Sequence, residues 1–168
     1  GYQRVGVVAA LGPEVRGFSV GQAVVTTIAP RNDAITAQWG AHAAYGVTPV
    51  DELHALPTGL DPVDAAHLVV AQVGWNAATR AGIRPGDAVL VVGDGPIGLF
   101  AAQAARALGA RVVLAGRRVR RLAIATTFGC IALDAHQGAL AARVREAVGG
   151  PAAMVIDTVQ GVEAQHAY

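Results

Sequence analysis

The feature that most constrains the fold is a run of aliphatic residues that ends in three closely spaced glycines. Residues 89–92 are Val-Leu-Val-Val, and residues 93–98 are Gly-Asp-Gly-Pro-Ile-Gly. A short, continuously apolar run is typical of a parallel strand that is buried on both faces. An alanine-rich segment, 99–108, and a second apolar run, 111–115, come next. This order predicts a strand, a tight turn, a helix and a second parallel strand.

Each glycine of the turn predicts a separate contact between a dinucleotide and the main chain. Gly93 allows the tight turn, Gly95 lets a pyrophosphate approach the backbone, and Gly98 lets the helix lie close to the strand. The amide groups at the helix start, around Pro96 and Ile97, would then face the phosphates, where the helix dipole favours negative charge. Glycine turns also serve purely structural connections, but the strand before this one and the helix after it favour nucleotide binding.

The residues after the second strand indicate which cofactor is bound. An NAD site has Asp or Glu there to accept hydrogen bonds from the ribose hydroxyls, whereas this chain has Gly116, Arg117 and Arg118. A small residue followed by guanidinium groups suits a 2′-phosphate, because arginine forms forked, charge-assisted bonds to phosphate. Arg121 extends the basic run into the next helix start, where cations are unfavourable without a bound anion. The run predicts a preference for NADP(H), with NAD as an alternative cofactor and a solvated basic helix start as the structural alternative.

Composition excludes several other classes of protein. The chain has 168 residues, 53% of them hydrophobic and 15% charged, and a net charge of +1, which argues against nucleic-acid binding driven by charge. The single cysteine, Cys130, excludes an internal disulfide framework, fits a reducing cytoplasm, and is predicted to be a buried small residue. No uninterrupted apolar stretch reaches about 18 residues, so no membrane span is expected.

Residues 1–61 have the pattern of a small antiparallel domain. Apolar strands are predicted at 5–8, 23–25 and 40–47, and glycine and proline turns separate them. Asp61 or Pro62 is predicted to begin the first helix. Short strands of this kind predict a small barrel or sandwich.

Residues 62–168 alternate between helices and strands. A third strand is predicted at 131–134, a helix at 138–148 and a fourth strand at 153–156, which together favour a parallel sheet with right-handed crossovers. Thr158 follows the fourth strand and is predicted to contact the cofactor, because ligands in such sheets bind beyond the carboxyl ends of the strands. A six-stranded sheet would need two further strands, so the fourth strand is expected to have an open edge.

Several motifs occur in the order found in one family. The segments that match are Gly1–Val8 for G-H-E-x-x-G-x-V, Val20–Val24 for V-G-D-x-V, Trp39–Ala43 for G-G-x-A-E, Asp64–Gly82 for the linking helices, and Val89–Arg118 for the cofactor half. On these motifs the chain resembles the medium-chain dehydrogenase/reductase superfamily. The resemblance implies an α/β chain: a partial GroES-like β-barrel followed by a truncated Rossmann doubly wound parallel sheet. It also implies an oxidoreductase that moves hydride between a nicotinamide cofactor and a small carbonyl, alcohol or enone.

The departures from the family pattern concern zinc. Zinc-dependent relatives place a histidine ligand and a glutamate where this chain has Tyr2 and Gln3, and a further ligand aligns near Val69. No cysteine lies in the segment 26–39, where the structural zinc lobe would fall. Because zinc needs three protein donors, the resemblance implies no metal. It also puts Tyr2 near the nicotinamide, where Tyr2 is a candidate to orient or protonate the substrate; alternatively, it fills the vacant metal position without doing chemistry.

Two other functions are considered beside a zinc-independent, NADP(H)-dependent oxidoreductase. The chain begins at Gly1 rather than Met, so we expect a segment of a longer protein, and a non-catalytic nucleotide-binding fragment or partner-supporting subunit is one alternative. An S-adenosylmethionine-dependent methyltransferase is another, but it would favour an acidic residue after Ala115. The expected partners are a small-molecule substrate and, as a possibility, further copies of the chain; neither nucleic acid nor membrane is expected.

Overall fold

The computed structural model describes residues 3–26 and 41–159 of the chain. It divides into two compact units, Gly1–Val69 and Val70–Tyr168. The domain boundary expected between residues 61 and 62 stays a prediction.

The first unit contains a small antiparallel sheet. Its strands are β1 (Arg4–Val7), β2 (Ala23–Thr26) and β3 (Leu53–Ala55), in the spatial order β1-β2-β3. Val24 and Val25 on β2 are buried, as expected for a central strand. A 3-10 turn, Val50–Glu52, precedes β3.

The first helix begins where the sequence predicts. Helix α1 covers Pro62–Ala65, and the Asp61 carboxylate accepts a hydrogen bond from the Val63 N–H at 2.7 Å. A short acidic side chain at this position satisfies one of the amides that a helix leaves without a partner. The predicted start at Asp61 or Pro62 is confirmed, with Asp61 as the N-cap residue and Pro62 as the first residue of the helix.

The strand predicted over 40–47 is wrong for the residues that the structure describes. Residues 41–47 form bends and irregular chain. Tyr45 and Val47 are 83% and 84% exposed. The loose alternation of small and apolar residues therefore has no partner strand and no buried face to support it.

The second unit is built on a four-stranded parallel sheet with the spatial order β6-β5-β4-β7. The strands are β4 (Ala88–Val92), β5 (Arg111–Gly116), β6 (Ile131–Asp134) and β7 (Met154–Asp157). The helices are α2 (Leu68–Arg80), α3 (Pro96–Ala107), α4 (Val119–Thr127) and α5 (Leu140–Val148). All four predicted strands of the cofactor half are present, with ends that shift by at most one residue.

Strand β4 is buried on both faces, as its sequence predicts. Val89 and Val91 pack into one core cluster with the alanines of α3, whereas Leu90 and Val92 pack into another with Val144 of α5. The small alanine side chains let α3 lie close to the sheet. This packing fixes where α3 begins relative to the end of β4.

Cys130 is buried beneath α4, as predicted, and is 6% exposed. Burial raises the pKa of its thiol, and the nearby Arg106 guanidinium opposes that rise only partly. The thiol is therefore an inert part of the core at neutral pH.

The strand order creates a switch point beside β4. Strand β5 lies on one side of β4 and β7 on the other. The chain runs from β4 to β5 and β6 in one direction and then crosses back to β7, so the strand order reverses at β4. Ligands of doubly wound sheets bind beyond the carboxyl ends of the strands at such a point. Across the described segments, no helix is both long and apolar enough to cross a bilayer.

Candidate functional site

The glycine turn after β4 combines two tightly packed glycines with one open position. Gly93 has a φ of +110°, and a Cβ on it would collide with the Thr158 hydroxyl. A Cβ on Gly98 would collide with the Gly93 carbonyl oxygen. A Cβ on Gly95, in contrast, would meet no atom within 4 Å. Packing thus explains Gly93 and Gly98, whereas Gly95 borders open space that a ligand could enter.

Helix α3 begins at this turn with its amide groups open. Gly95 is the N-cap residue, no side chain makes a capping hydrogen bond to the turn, and Pro96 follows it. The first helical turn of α3 carries no acidic residue, and Ile97 within it is 40% exposed. Neither a capping side chain nor an acidic residue of the first helical turn therefore meets these amides, and the Asp94 carboxylate, one residue before the N-cap, is bonded to the amides of Arg117 and Arg118, which leaves the helix start suited to an anion.

Thr158 fixes the glycine turn from the neighbouring strand. Its hydroxyl and its backbone N–H both donate to the Val92 carbonyl oxygen, each at 2.9 Å. The hydroxyl proton is therefore already used. A cofactor contact at Thr158 could use only the lone pairs of the hydroxyl oxygen.

The turn after β5, the second turn of the site, is held by hydrogen bonds to the carboxylate of Asp94, which belongs to the glycine turn after β4, the first turn of the site. Asp94 is 4% exposed, and its Oδ2 accepts the backbone N–H groups of Arg117 at 3.1 Å and Arg118 at 2.6 Å. A Cβ on Gly116 would lie 2.8 Å from the Asp94 Cγ. Asp94 and Gly116 are thus a matched pair, because the carboxylate occupies the space that any larger residue at 116 would need.

Two of the predicted arginines also contact Asp94. The Arg118 Nη1 lies 3.3 Å from the Asp94 Oδ1, and the Arg121 Nη1 lies 3.5 Å from the Asp94 main-chain oxygen. The Arg118 side chain is 65% exposed, so water screens this ion pair and its stabilising effect is small. Arg117 is exposed and lines the cleft between the two turns. The predicted glycine and arginine residues therefore lie together at one edge of the sheet.

Asp94 is the residue of this site that the sequence analysis missed. The run of arginines at the start of α4 predicted a bound anion, and the structure supplies part of that anion from within the chain. The available signal was an aspartate between two glycines, together with a glycine at the end of the next strand. Nothing in local periodicity indicates that these positions, more than twenty residues apart, are in contact.

A cleft of about 1020 Å³ lies between the two turns and the start of α5. Its wall includes Gly93, Arg117, Arg118 and His136. Asp94 is the only acidic residue among the described residues that line it. Pockets for small molecules commonly reach about 300–1,000 Å³, so this cleft can accept a nucleotide.

The predicted catalytic residue, Tyr2, lies outside the described residues, but its neighbour Gln3 is placed. The Gln3 Nε2 donates to the Ala65 carbonyl oxygen at 2.8 Å, and its Oε1 accepts the Val69 N–H at 2.6 Å. Both ends of this amide therefore tie β1 to the chain around α1. Residues 3–26 and 41–159 contain no group of three or more His, Cys, Asp or Glu side chains that could hold a metal.

Comparison with known proteins gives consistent likenesses. The family model for zinc-binding dehydrogenases matches residues 96–168. L-galactonate-5-dehydrogenase of Escherichia coli strain K12 is 42% identical over 123 residues, which cover 71% of this chain and 36% of the relative. Sorbitol dehydrogenase of Halalkalibacterium halodurans is 31% identical over 135 residues, which cover 69% of this chain and 39% of the relative.

A solved structure extends the likeness to nearly the whole chain. Alcohol dehydrogenase TADH from Thermus sp. ATN1 superposes with a TM-score of 0.76 at 26% identity, covering 98% of this chain and 56% of that one. The predicted fold class, a GroES-like part followed by a Rossmann sheet, is confirmed. The chain spans between about a third and just over half of the length of these three relatives. With its glycine turn, its strand order and these likenesses, the chain belongs to the medium-chain dehydrogenase/reductase superfamily.

Proposed function

We propose that the chain is the cofactor-binding part of an oxidoreductase that transfers hydride between NADP(H) and a small carbonyl, alcohol or enone, without zinc. One observation carries this proposal. The uncapped start of α3 opens onto the space beside Gly95, at the switch point of the sheet. Arg117 and Arg118 line the neighbouring cleft, which Gly93 and Asp94 of the same glycine turn also line. The glycine turn at the start of α3 would bind the diphosphate of the cofactor. The turn after β5, with Arg117 and Arg118, would bind its 2′-phosphate.

The residues present fit a nicotinamide dinucleotide. Open amides at the start of α3 would bind the diphosphate, and the absence of a Cβ at Gly95 would allow its close approach. Arg117, whose guanidinium is exposed on the cleft wall, would hold the 2′-phosphate together with Arg118. When bound, the cofactor supplies or accepts the hydride; the chain holds and orients it.

The named relatives favour an alcohol as the substrate. L-galactonate-5-dehydrogenase and sorbitol dehydrogenase are named for polyhydroxylated compounds. Oxidation of an alcohol would require a residue that binds the substrate oxygen while its hydroxyl proton passes to a base. We assign the orientation of the substrate oxygen, or its protonation in the reverse direction, to Tyr2.

The donor set supports a reaction that proceeds without zinc. Val69 cannot bind a metal, and Gln3 uses both of its polar atoms to bond main-chain groups. A histidine and a glutamate would be needed where the chain has Tyr2 and Gln3. No proton or hydride step is therefore assigned to a metal.

Titration of NADPH, NADH and S-adenosylmethionine tests the cofactor assignment. NADPH should bind most tightly, and Arg117→Ala should weaken it by about tenfold while changing NADH affinity by less than about twofold, because only NADPH carries the 2′-phosphate. Arg120→Ala, in the same basic run but absent from the cleft wall, is the matched control. Tightest binding of NADH would contradict the NADP(H) preference, and tightest binding of S-adenosylmethionine would contradict the oxidoreductase.

Absorbance of the reduced nicotinamide tests catalysis in the intact protein. A panel of polyols, sugar acids, aldehydes, enones and quinones should reveal turnover that survives a zinc chelator. Tyr2→Phe should lower kcat by about tenfold or more if the hydroxyl acts on the substrate. Cofactor binding without turnover on any class would favour the non-catalytic alternative, and unchanged turnover of Tyr2→Phe would remove Tyr2 from the mechanism.

A further inference from the structure

Three donors converge on the buried side chain of Asp94 at the edge of the proposed cofactor site. Two are backbone N–H groups, of Arg117 and Arg118, and the third is the Arg118 guanidinium at 3.3 Å. A carboxylate has about four lone-pair positions, so three of them are occupied. Asp94 therefore holds Arg118 against the glycine turn even though most of that arginine side chain is exposed.

Asp94 lies where its charge would act on a 2′-phosphate held by Arg117 and Arg118. Gly116 ends β5, where NAD-binding members carry an acidic residue on the ribose, and the Asp94 carboxyl group fills the space beside it. The carboxylate thus stands close to where an acidic residue after β5 would stand, but it comes from the other turn.

We propose that Asp94 is a specificity-determining residue that limits the preference of this site for NADP(H) over NAD(H). Its carboxylate accepts the Arg118 backbone N–H and lies 3.3 Å from the Arg118 Nη1, so the guanidinium is directed toward Asp94 and is less available to a 2′-phosphate. Its negative charge also repels that phosphate at the edge of the cleft. NADH carries no 2′-phosphate, so neither effect lowers its affinity. The inference rests on the proposed function, since it concerns the cofactor of the same site.

Dissociation constants of NADPH and NADH for Asp94→Asn test the inference in the full protein. Asparagine keeps the shape and one accepting oxygen but removes the charge. NADPH should bind about tenfold more tightly, as expected for the loss of one like charge at close range, and NADH affinity should change by less than about twofold. Asp94→Ser, which also offers an uncharged oxygen, is the second variant should Asp94→Asn not fold.

Two further variants identify the route of the effect. Adding Arg118→Ala to Asp94→Asn should abolish most of the gain for NADPH, because the released guanidinium is then missing. Asp87→Asn is the matched control: the Asp87 Oδ2 accepts the Arg84 N–H at 2.8 Å just before β4, at the opposite end of that strand. It should leave the ratio of the two affinities unchanged.

The remaining outcomes overturn the inference. Equal loss of both affinities in Asp94→Asn would make Asp94 a purely structural clamp of the second turn. Selective weakening of NADH would instead make it an acceptor for the ribose hydroxyls. If the unaltered protein binds neither NADPH nor NADH, the proposed function fails; if it binds them but Asp94→Asn leaves their ratio unchanged, only the role of Asp94 fails.

Discussion

Helices α3 and α4 begin at the same edge of the sheet, but only the start of α4 has a carboxylate bonded to the backbone N–H groups before it. The start of α3 follows Gly95 and carries no capping side chain and no acidic residue. The start of α4 follows Arg118 and also lacks a cap from its own first turn. However, the Asp94 carboxylate, from the glycine turn after β4, accepts the backbone N–H groups of Arg117 and Arg118 just before α4.

The difference shows two ways to meet one electrostatic demand. A helix start that carries only neutral or basic residues attracts an anion. At the start of α3 no side chain of the helix supplies this negative charge, so a bound diphosphate would supply it. At the start of α4 the Asp94 carboxylate supplies much of it. Basic residues at a helix start therefore do not by themselves indicate a bound phosphate, because another loop can supply the anion.

Gly98→Ala should break the first turn most strongly. The new methyl group would collide with the Gly93 carbonyl oxygen, so we expect a loss of about 1–3 kcal/mol in the free energy of unfolding and loss of dinucleotide binding. Denaturant titration and NADPH binding measure the two effects.

Gly95→Ala is the matched control for Gly98→Ala. Gly95 has a φ of −75°, which alanine adopts readily, and its Cβ would meet nothing within 4 Å. Stability should be unchanged or should rise by about 0.5 kcal/mol, while NADPH affinity falls by about tenfold because the methyl group blocks the diphosphate. Undiminished affinity would show that the diphosphate does not approach Gly95.

Gly116→Ala tests the closure of the second turn. Its methyl group would overlap the Asp94 side chain, and we expect a cost of about 1–2 kcal/mol in the free energy of unfolding. The cost should fall by about 1 kcal/mol in an Asp94→Gly background, since the obstructing side chain is then gone. Equal costs in both backgrounds would separate Gly116 from Asp94 energetically.

Thr158→Val should give the smallest effect. Valine keeps the shape of threonine but removes the bond from its hydroxyl to the Val92 carbonyl, so we expect about 1 kcal/mol of destabilisation. Thr127→Val is the matched control, because the exposed Thr127 hydroxyl bonds to the Ile124 carbonyl within its own helix. A cost no larger than that of the control would mean that Thr158 does not fix the first turn.

Strong local patterns made most of the second unit predictable. The apolar run ending at Val92 and the glycines after it each act within a few residues, so they can be identified directly in the sequence. The segment 41–47 was mistaken for a strand because weak alternation carries no information about a partner. Asp94 was missed because its role depends on Gly116 and the amides of Arg117 and Arg118, which only the folded sheet brings near it.

The bond from Thr158 to Val92 spans 66 positions of the chain. During synthesis, β4 and the glycines at 93, 95 and 98 leave the ribosome well before Thr158, whose hydroxyl bonds to the end of that strand. The glycine turn is therefore completed late, when β7 pairs with β4. A nascent chain arrested before that strand should carry the whole glycine motif and still fail to retain the coenzyme.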